Sequence, residues 1–513
     1  MPLSSLPPVS SADLVVGVVG SGVMGRGIVQ IAALAGAHVR MLDARVGAAA
    51  AARDGLLETF AMLQSKGRLD QARADSAAAR IKIYENLEDF AGCHLVIEAV
   101  VEDLAIKKDL FTQLERITGP DCILVTNTSS LQVTSIASAL KHPERVGGFH
   151  FFNPVPIMKL VEVIGGLRTD PAVVDYLLAL GRHWGHTAVR AKDTPGFIVN
   201  HAGRGFNTEG MRVLYANVTD IPTMDTILRE CAGFRLGPCE LMDMTGVDVS
   251  HPVMESIYNQ YFQEPRYRPQ PLTRTMLSAG MLGRKTGQGF YRYDKDMKKV
   301  LAPEAEPSTV LPPSVWLSRS RPELAERVAA LISASGVLLE DSDRPSSQAL
   351  CVVTPLGDDA TECCVREGLD GSRTIGVDAL FDMSRRRVVM TTPATSEEYR
   401  EMARGLFAVN GGAVSVIRDS TGLVCQRVVA HIINVACEIA QQGIADPQDI
   451  DNAVKLGLNY PHGPLAWGDL LGPDTVLTML NNLDRANGDG RYRPSAWLQR
   501  RALLGLSLLK QEV

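Results

Sequence analysis

Residues 14–32 read Leu14-Val-Val-Gly-Val-Val-Gly20-Ser-Gly22-Val-Met-Gly25-Arg-Gly-Ile-Val-Gln-Ile-Ala. An apolar strand runs into three spaced glycines and then into a helix, which is the pattern of a dinucleotide-binding βαβ unit. Gly20 permits the tight turn, Gly22 lets a pyrophosphate approach the backbone, and Gly25 lets the helix lie close to its strand. The first N–H groups of the helix then face the phosphates.

The next strand supports this interpretation and indicates which dinucleotide binds. A short apolar stretch, His38-Val-Arg-Met-Leu42, is followed by Asp43, where an acidic residue would accept the adenosine ribose hydroxyls and repel a 2′-phosphate. The pattern therefore predicts a nicotinamide or flavin dinucleotide and, between the two nicotinamide cofactors, NAD rather than NADP, although Arg40 and Arg45 leave the second open. The alternative is a structural βαβ unit with an incidental glycine turn.

Strands and helices go on alternating to about residue 163, and this predicts a Rossmann-type, mostly parallel sheet covered by helices. Predicted strands cover residues 81–84, 94–100, 122–126, 148–152 and 159–164, and predicted helices cover residues 53–66 and 103–118. Ligands of such sheets lie beyond the carboxyl ends of the strands. Glu98, Glu102, Asn127 and Ser129 should therefore lie on the cofactor's side.

Composition excludes several classes of protein. With 513 residues, 45% apolar and 21% charged residues and a net charge of −6, the chain should form several domains and has no overall attraction to nucleic acid. No apolar run reaches membrane-spanning length, and the Pro/Ser-rich start lacks the features of a signal peptide. Nine scattered cysteines are typical of a reduced, cytoplasmic protein. His183 and His186 have a metal-ligand spacing, but no further ligand joins them, so no metal is predicted.

A second helical segment repeats the first. Asp419-Ser-Thr-Gly-Leu-Val-Cys-Gln426 matches Asp193-Thr-Pro-Gly-Phe-Ile-Val-Asn200, and the same register continues without a gap as far as Asp474, which matches Asp248. This constant register indicates an internal duplication. The predicted organisation is a disordered tail (1–13), a Rossmann domain (14–192), a helical domain (193–300), a linker (301–314), a reduced Rossmann-like domain (315–417) and a second copy of the helical domain (418–513).

The stretch Phe149-His-Phe-Phe-Asn-Pro-Val-Pro-Ile-Met-Lys-Leu-Val-Glu162 places a histidine and a glutamate on two strands joined by a proline turn. A carboxylate that contacts an imidazole fixes its tautomer and stabilises its protonated form, as a general base for an alcohol requires. The simpler interpretation is a core histidine and an edge glutamate. The neighbouring dinucleotide site favours catalysis by His150.

The first half of the chain resembles the L-3-hydroxyacyl-CoA dehydrogenase family, and the two-copy layout resembles its bacterial members of about 500 residues, such as those of phenylacetate breakdown. The resemblance rests on long, nearly ungapped motifs: the GxGxMGxGIxQ opening, IEAVVE, NTSSLQxTSIA, HFFNPVPxMKLVEV and DTPGFIVN. It implies reversible, NAD-dependent oxidation of an L-3-hydroxyacyl-CoA to the 3-ketoacyl-CoA, with 3-hydroxyadipyl-CoA or 3-hydroxybutyryl-CoA as the expected substrate. A possible homodimer is implied as well.

The resemblance assigns roles by position. His150 becomes the general base, Glu162 its partner, and Ser129 and Asn200 contacts to the substrate oxygens near C3. The cofactor-binding set is Gly20, Gly22, Val23, Met24, Gly25, Asp43, Glu102, Lys107, Asn127, Asn153 and Lys285, and coenzyme A is expected at Thr59 and Lys66. Other interpretations stay open: Ser129 could cap a helix over residues 131–140, Asn200 could only tie the hinge, and Lys107 could be an ordinary solvated charge.

The second half is expected to hold no active site. When the register of the duplication is extended backward, Gly376 stands for His150, Val388 for Glu162, Ala379 for Asn153, Pro355 for Ser129 and Gln426 for Asn200. Residues 315–417 also lack a glycine cradle. Two other classes stay as alternatives for the whole chain: a non-catalytic dinucleotide-binding relative, and another β-hydroxyacid dehydrogenase with a catalytic lysine.

Overall fold

The structure, a computed structural model, describes residues 6–304 and 306–512. They form two compact units. The first contains the chain up to His201 together with Gln442–Leu458, and the second contains Ala202–Gln441 and Asn459–Val513. Over the described ranges, no helix has the length and apolar character needed to cross a bilayer.

The first unit is built on an eight-stranded sheet with helices on both faces. Its elements in chain order are β1 (Val15–Val19), α1 (Val23–Leu34), β2 (His38–Leu42), α2 (Ala48–Ser65), α3 (Gln71–Arg80), β3 (Ile81–Ile83), β4 (Leu95–Glu98), α4 (Leu104–Ile117), β5 (Ile123–Thr126), α5 (Val133–Ala137), β6 (Val146–Phe151), β7 (Leu160–Gly165), α6 (Pro171–His183) and β8 (Thr187–Lys192). The strand order is β3-β2-β1-β4-β5-β6-β7-β8.

All neighbouring strands of this sheet are parallel except β6 and β7, which are antiparallel. The central strands β1, β4 and β5 are almost wholly buried, as apolar strands covered on both faces must be. This confirms the predicted Rossmann-type fold. The predicted helix over residues 131–140 is wrong in length, since α5 has only five residues.

Part of the predicted disordered tail packs against this domain. Leu6 and Val9 contact its hydrophobic core, and Tyr176 Oη donates a hydrogen bond to the carbonyl of Pro7 at 3.0 Å. The first five residues lie outside the described part of the chain. Residues 6–13 are thus held in place because their apolar side chains cover the core surface.

The second unit contains the first helical segment, the reduced sheet domain and most of the second helical segment. Its elements begin with α7 (Val199–Tyr215), which starts in the first unit, and continue with α8 (Ile221–Glu230), α9 (Pro238–Thr245), α10 (Val247–Gln260), α11 (Pro271–Ser278), β9 (Arg292–Tyr293) and β10 (Lys299–Val300). The sheet domain follows with β11 (Ser314–Leu317), α12 (Pro322–Ser335), β12 (Leu338–Leu339), β13 (Leu350–Val353), α13 (Ala360–Glu367), β14 (Thr374–Val377), β15 (Arg386–Thr391), α14 (Glu397–Phe407) and β16 (Ala413–Ile417).

The chain ends with α15 (Val424–Gln441), α16 (Pro447–Leu458), α17 (Pro464–Leu471), α18 (Pro473–Asn487) and α19 (Ala496–Leu504), of which α16 belongs to the first unit. The reduced sheet has the order β12-β11-β13-β14-β15-β16, and only β14 and β15 are antiparallel. It therefore repeats the first sheet with two strands fewer. No counterpart of the β4–α4 segment is found between β11 and β13, which pair directly.

The residue that occupies the place of His150 in this second sheet is Asp378, and the predicted Gly376 is wrong. In the first sheet His150 pairs with Glu162, whereas in the second Gly376 pairs with Met390 and the Asp378 N–H bonds to the carbonyl of Val388. The turn between these strands is two residues shorter in the second copy. The constant register used to align the two copies misses this shorter turn. An insertion earlier in the second copy compensates for the two missing residues, so the flanking residues still align without a gap.

Asp378 is a buried carboxyl group at the position that His150 occupies in the first sheet. Its Oδ1 accepts a hydrogen bond from Gln426 Nε2 at 3.1 Å, and burial raises its pKa to about 6. Gln426 also bonds to the carbonyl of Pro355 at 3.0 Å. Asp378 and Val388 thus stand where the first sheet has His150 and Glu162, and the absence of an active site in this half stays a prediction.

On each of the two large sheets, a helix of the opposite copy packs against the strands. In the first unit α16 packs against β7 and β8, and the Lys192 N–H donates to the carbonyl of Ile444 at 2.9 Å. In the second unit α8 packs against β15, and the Arg418 N–H donates to the carbonyl of Val218, also at 2.9 Å. Lys192 matches Arg418 and Val218 matches Ile444 in the register of the repeat, so the exchange of helices is reciprocal.

A buried ion network joins the two helical copies within the second unit. Glu209 of α7 contacts Arg427 of α15 at 3.0 Å and Arg491 at 2.8 Å, and it accepts a hydrogen bond from Tyr492 at 2.6 Å. Burial alone would raise the pKa of Glu209, but the charges of Arg491 and Arg427 outweigh burial and lower the pKa to about 2.

Replacing Glu209 by Gln should destabilise the second unit strongly, because two buried guanidinium groups lose their counter-charge. Breaking a buried pair in this way costs about 3–5 kcal/mol. Thermal unfolding measures the effect, and Glu397→Gln, which removes a carboxylate from the exposed Glu397–Arg400 pair, is the matched control with a cost below about 1 kcal/mol.

The same substitution has a defined pH dependence. A lowered folded-state pKa stabilises the protein above the unfolded value of about 4, and this stabilisation is lost as the pH falls toward 2. The difference in unfolding temperature between wild type and E209Q should therefore narrow over that interval. A difference that stays constant from neutral pH to pH 2 would contradict the account.

Candidate active site

The glycine turn of the first unit leaves open space at Gly22, whereas Gly20 and Gly25 are packed against other backbone atoms. A Cβ on Gly20, whose φ is +101°, would lie 2.4 Å from the carbonyl oxygen of Ala99, and a Cβ on Gly25 would lie 1.8 Å from that of Gly20. A Cβ on Gly22 would meet no atom within 4 Å. Gly22 also precedes α1 without a side-chain cap. The open space and the uncapped N–H groups fit a dinucleotide pyrophosphate.

Asp43 lies at the carboxyl end of β2, beside this turn. Its Oδ2 accepts hydrogen bonds from the N–H and the hydroxyl of Ser21 at 2.8 and 2.7 Å, and its Oδ1 accepts one from the Arg45 N–H at 2.9 Å. Partial burial alone would raise the pKa of Asp43, but the hydrogen bonds from Arg45 and Ser21 outweigh it and lower the pKa to about 2. Asp43 is therefore charged at neutral pH. Val23 and Met24 begin the helix that follows the turn.

His150 and Glu162 form a direct pair across the antiparallel strands β6 and β7. His150 Nδ1 lies 2.7 Å from Glu162 Oε2, and both residues are buried. Phe149 and Phe151 alternate with His150 along β6 and pack against Trp184, so the imidazole points to the other face of the sheet. Among the described residues Nε2 has no hydrogen-bond partner, and it is the nitrogen free to exchange a proton.

Glu162 is held by the backbone where α7 begins. Its Oε1 accepts the N–H groups of Ile198 and Val199, both at 2.9 Å. A helix N-terminus favours a negative charge, and the two hydrogen bonds fix the carboxyl orientation. These backbone donors come from the DTPGFIVN motif, whose contribution to the dyad the sequence analysis did not identify.

The loop after β5 brings Ser129 to Asn200. Asn200 Nδ2 donates a hydrogen bond to the carbonyl of Ser129 at 3.2 Å, while the Ser129 N–H donates to Glu102 Oε1 at 3.0 Å. Ser129 does not cap α5, whose N-cap is Gln132; the carboxylate of Asp193 binds the first N–H groups of that helix. The helix-capping alternative for Ser129 is therefore wrong.

Glu102 and Lys107 form a network with Glu98, which the sequence analysis placed at the site without a role. Lys107 Nζ lies 2.5 Å from Glu98 Oε1 and 3.3 Å from Glu102 Oε2, and its side chain is only 1% exposed. Lys107 is thus not a solvated charge. Its contribution to cofactor binding stays a prediction.

The remaining predicted residues lie at several separate positions. Asn127 Oδ1 accepts the Phe151 N–H at 2.9 Å and so ties β6 to the loop after β5. Lys285 belongs to the second unit, where its Nζ is 2.5 Å from Asp248 Oδ1. Asn153 and Thr59 line a common cavity, and Lys66 is exposed at the end of α2.

That cavity, of about 750 Å³, lies between α1, α2, the Asn153–Ile157 turn and the end of α6. The side chains that line it include the cations Arg26, Arg68, Arg73 and Lys159, and none of its described lining residues is Asp or Glu. Apolar groups such as Trp184 cover part of its wall. Sequence reasoning missed the four cations because they are distant in sequence, although Arg68 and Arg73 follow the predicted Lys66.

Comparison with known proteins agrees with this geometry. Residues 15–194 match the 3-hydroxyacyl-CoA dehydrogenase NAD binding domain, and residues 196–293 and 422–511 both match the C-terminal domain of that family. The double match of the C-terminal domain confirms the internal duplication. The match over residues 15–194 covers both Asp43 and the His150–Glu162 pair.

Two relatives span nearly the full length. The chain is 36% identical over 491 residues to a 3-hydroxyadipyl-CoA dehydrogenase of Escherichia coli (strain K12), covering 95% of this chain and 97% of the relative. A crystal structure of 3-hydroxybutyryl-CoA dehydrogenase from Escherichia coli K12 superposes with a TM-score of 0.84 at 35% identity, covering 96% and 98% of the two chains. A probable 3-hydroxybutyryl-CoA dehydrogenase of Bacillus subtilis (strain 168) is 40% identical over 278 residues, covering 54% of this chain and 96% of the relative.

The glycine turn, Asp43 and the His150–Glu162 pair on one Rossmann domain define an NAD-dependent oxidoreductase. The chain belongs to the 3-hydroxyacyl-CoA dehydrogenase family, and it has the two-copy form of the full-length relatives.

Asp43 should make the enzyme prefer NADH to NADPH, because its charged carboxylate would repel a 2′-phosphate. Asp43→Asn should reduce this preference by about 10–100-fold, since a charged hydrogen bond contributes about 1.5–3 kcal/mol. The ratio of kcat/KM values for the two cofactors measures the effect. Asp75→Asn, an exposed carboxylate on α3, is the control; a wild-type preference for NADPH would contradict the assignment.

Proposed function

We propose that His150 is the general base of the dehydrogenase and that Glu162 orients it. The observation that carries the proposal is the buried 2.7 Å contact between His150 Nδ1 and Glu162 Oε2. With Nδ1 facing a carboxylate, the proton of the neutral ring resides on Nδ1 and the lone pair on Nε2. Nε2 can then take the hydroxyl proton of a 3-hydroxyacyl substrate.

Glu162 also stabilises the product of that proton transfer. When the hydroxyl proton reaches Nε2, the ring becomes an imidazolium whose Nδ1–H faces a negative charge. The glycine turn and Asp43 would hold NAD, which would supply the hydride acceptor for C3, while His150 Nε2 takes the proton of the hydroxyl that becomes the carbonyl. In the reverse direction His150 returns the proton to the oxygen.

Ser129 and Asn200 are proposed to hold the substrate oxygens. The hydroxyl of Ser129 and the amide of Asn200 are donors of the type that a carbonyl or alkoxide oxygen requires. The hydrogen bond between Asn200 Nδ2 and the Ser129 carbonyl holds the two residues together. We further propose that Glu102, Lys107, Asn127, Asn153 and Lys285 act toward NAD.

The coenzyme A portion is proposed to bind in the cavity that Thr59 lines. Coenzyme A carries a pyrophosphate and a 3′-phosphate, and the cavity offers Arg26, Arg68, Arg73 and Lys159 with no opposing carboxylate among its lining. Lys66, exposed nearby at the end of α2, would add a cation. These local charges attract the substrate even though the whole chain carries −6.

The acyl group is proposed to be 3-hydroxyadipyl or 3-hydroxybutyryl, because the full-length relatives carry these two names. We propose a cytoplasmic location, with no nucleic-acid or membrane partner and with a possible homodimer.

Replacing His150 by Gln should lower kcat by about 10²–10⁴-fold with little change in the Kd of NADH. Oxidation of NADH by acetoacetyl-CoA, followed by absorbance, measures the rate. His142→Gln is the matched control, since that exposed histidine contacts Glu144 at 3.1 Å in a similar pair elsewhere in the domain. Wild-type turnover in H150Q would refute the assignment of the base.

The combined Arg68→Ala and Arg73→Ala variant should raise KM for acetoacetyl-CoA by about tenfold or more, because each lost charged hydrogen bond costs about 1.5–3 kcal/mol. The KM for acetoacetyl-N-acetylcysteamine, which lacks the phosphates, should not change. Arg116→Ala, on the surface of α4, serves as the control. Equal effects on both thioesters would rule out a phosphate site in this cavity.

A further inference from the structure

A buried carboxylate lies behind the loop that carries Ser129. Glu98 is the last residue of β4 and is 0% exposed. Its Oε1 accepts the Lys107 ammonium at 2.5 Å and the Val100 N–H at 2.7 Å, and its Oε2 accepts the Thr126 hydroxyl at 2.7 Å. Glu98 therefore fixes both an ammonium group and the end of the neighbouring strand.

Lys107 transmits this arrangement to Glu102. Its ammonium is 3.3 Å from Glu102 Oε2, and its buried side chain cannot move without losing both carboxylates. Partial burial alone would raise the pKa of Glu102. The charge of Lys107 and the hydrogen bonds from the loop of residues 128–130 outweigh burial and hold this pKa below its usual range. Glu102 thus stays a carboxylate that can only accept.

One oxygen of Glu102 accepts hydrogen bonds from three successive residues of the loop that carries Ser129. Its Oε1 accepts the Thr128 hydroxyl at 2.6 Å, the Ser129 N–H at 3.0 Å, and the Ser130 N–H and hydroxyl at 3.1 and 2.9 Å. The amide of Ser129 is fixed by Glu102 and its carbonyl by Asn200. The position of this one oxygen therefore sets the backbone from which the Ser129 hydroxyl projects.

We propose that Glu98 and Lys107 are positioning residues for Ser129 and act through Glu102. The inference rests on the proposed role of Ser129 as a contact to the substrate oxygen. A displacement of about 1 Å at a reacting group can lower a rate about 10²-fold, and a chain of short, charged hydrogen bonds holds such a position better than neutral packing.

The second half of the chain argues that this network serves the site and not the fold. The reduced sheet has the same strand directions, yet β11 pairs directly with β13 and the described chain contains no counterpart of the segment that carries Glu98 and Lys107. That half also has Pro355 where the first has Ser129. A Rossmann-like sheet thus forms without the network when the catalytic loop is absent.

The test is a double-mutant cycle between Glu98→Gln and Ser129→Ala. E98Q should lower kcat/KM for acetoacetyl-CoA by about 10–100-fold, with the Kd of NADH changed less than about threefold. If Glu98 acts through Ser129, adding E98Q to S129A should lower the rate by less than about twofold more. Multiplicative losses, or a Kd for NADH that rises as much as kcat/KM falls, would overturn the proposal.

Two further variants complete the experiment. Glu115→Gln, at the other end of α4, removes a carboxylate that accepts the N–H groups of Lys141 and His142, and it should leave kcat/KM unchanged. If E98Q does not fold, Glu102→Gln at the partly exposed end of the network should show the same non-additivity with S129A. Because Glu102 is also proposed to act toward NAD, kcat/KM of this variant is measured at saturating NADH. An active S129A variant would refute the role of Ser129 itself, whereas a slow S129A with additive E98Q would refute only the positioning.

Discussion

The antiparallel pairing of β6 and β7 is the constraint on which the catalytic arrangement depends. It puts His150 directly opposite Glu162 in a sheet that is otherwise parallel around them, and it buries both side chains. Because side chains alternate along a strand, a shift of one residue would turn the imidazole into the core that Phe149 and Phe151 fill. The N–H groups of Ile198 and Val199 then hold Glu162 from the start of α7. The register of β6 and β7 and the N-terminus of α7 therefore both fix the position of the Glu162 carboxylate.

The second sheet keeps this pairing but places other residues in it. The turn between its equivalent strands is two residues shorter, Asp378 and Val388 take the places of His150 and Glu162, and Gln426 joins the Asp378 carboxyl group to the backbone. The pairing direction and the apolar core survive, since packing alone maintains them. The antiparallel pairing therefore does not depend on the dyad, since β14 and β15 form it without a histidine and a glutamate.

The sequence predicts most of the fold and the central dyad, for identifiable reasons. Glycine spacing after an apolar run specifies the turn at Gly20, and two strands joined by a short proline turn must bring His150 near Glu162. It does not predict α3, and it predicts too long a helix at α5, because the alanine-rich and serine-rich stretches there give weak periodicity. It also misses the Glu98–Lys107 contact and the four cations that line the cavity, since these depend on side chains that converge from separate elements. The sequence also does not predict that Asp378 takes the place of His150. The shorter turn after Asp378 is compensated by an earlier insertion, so the residues on both sides still align without a gap.

The reciprocal helices α16 and α8 bear on how this chain can evolve. The surface of β7, the strand that carries Glu162, is covered by a helix encoded near the far end of the gene, and Gly457 of that helix lies so close to Leu160 and Val199 that an added Cβ would approach them within 3.0 Å. The gene therefore cannot be shortened to its catalytic half without uncovering the strand that the base relies on. The second copy thus supplies the first with a helix against its sheet, in addition to the two arginines that neutralise Glu209.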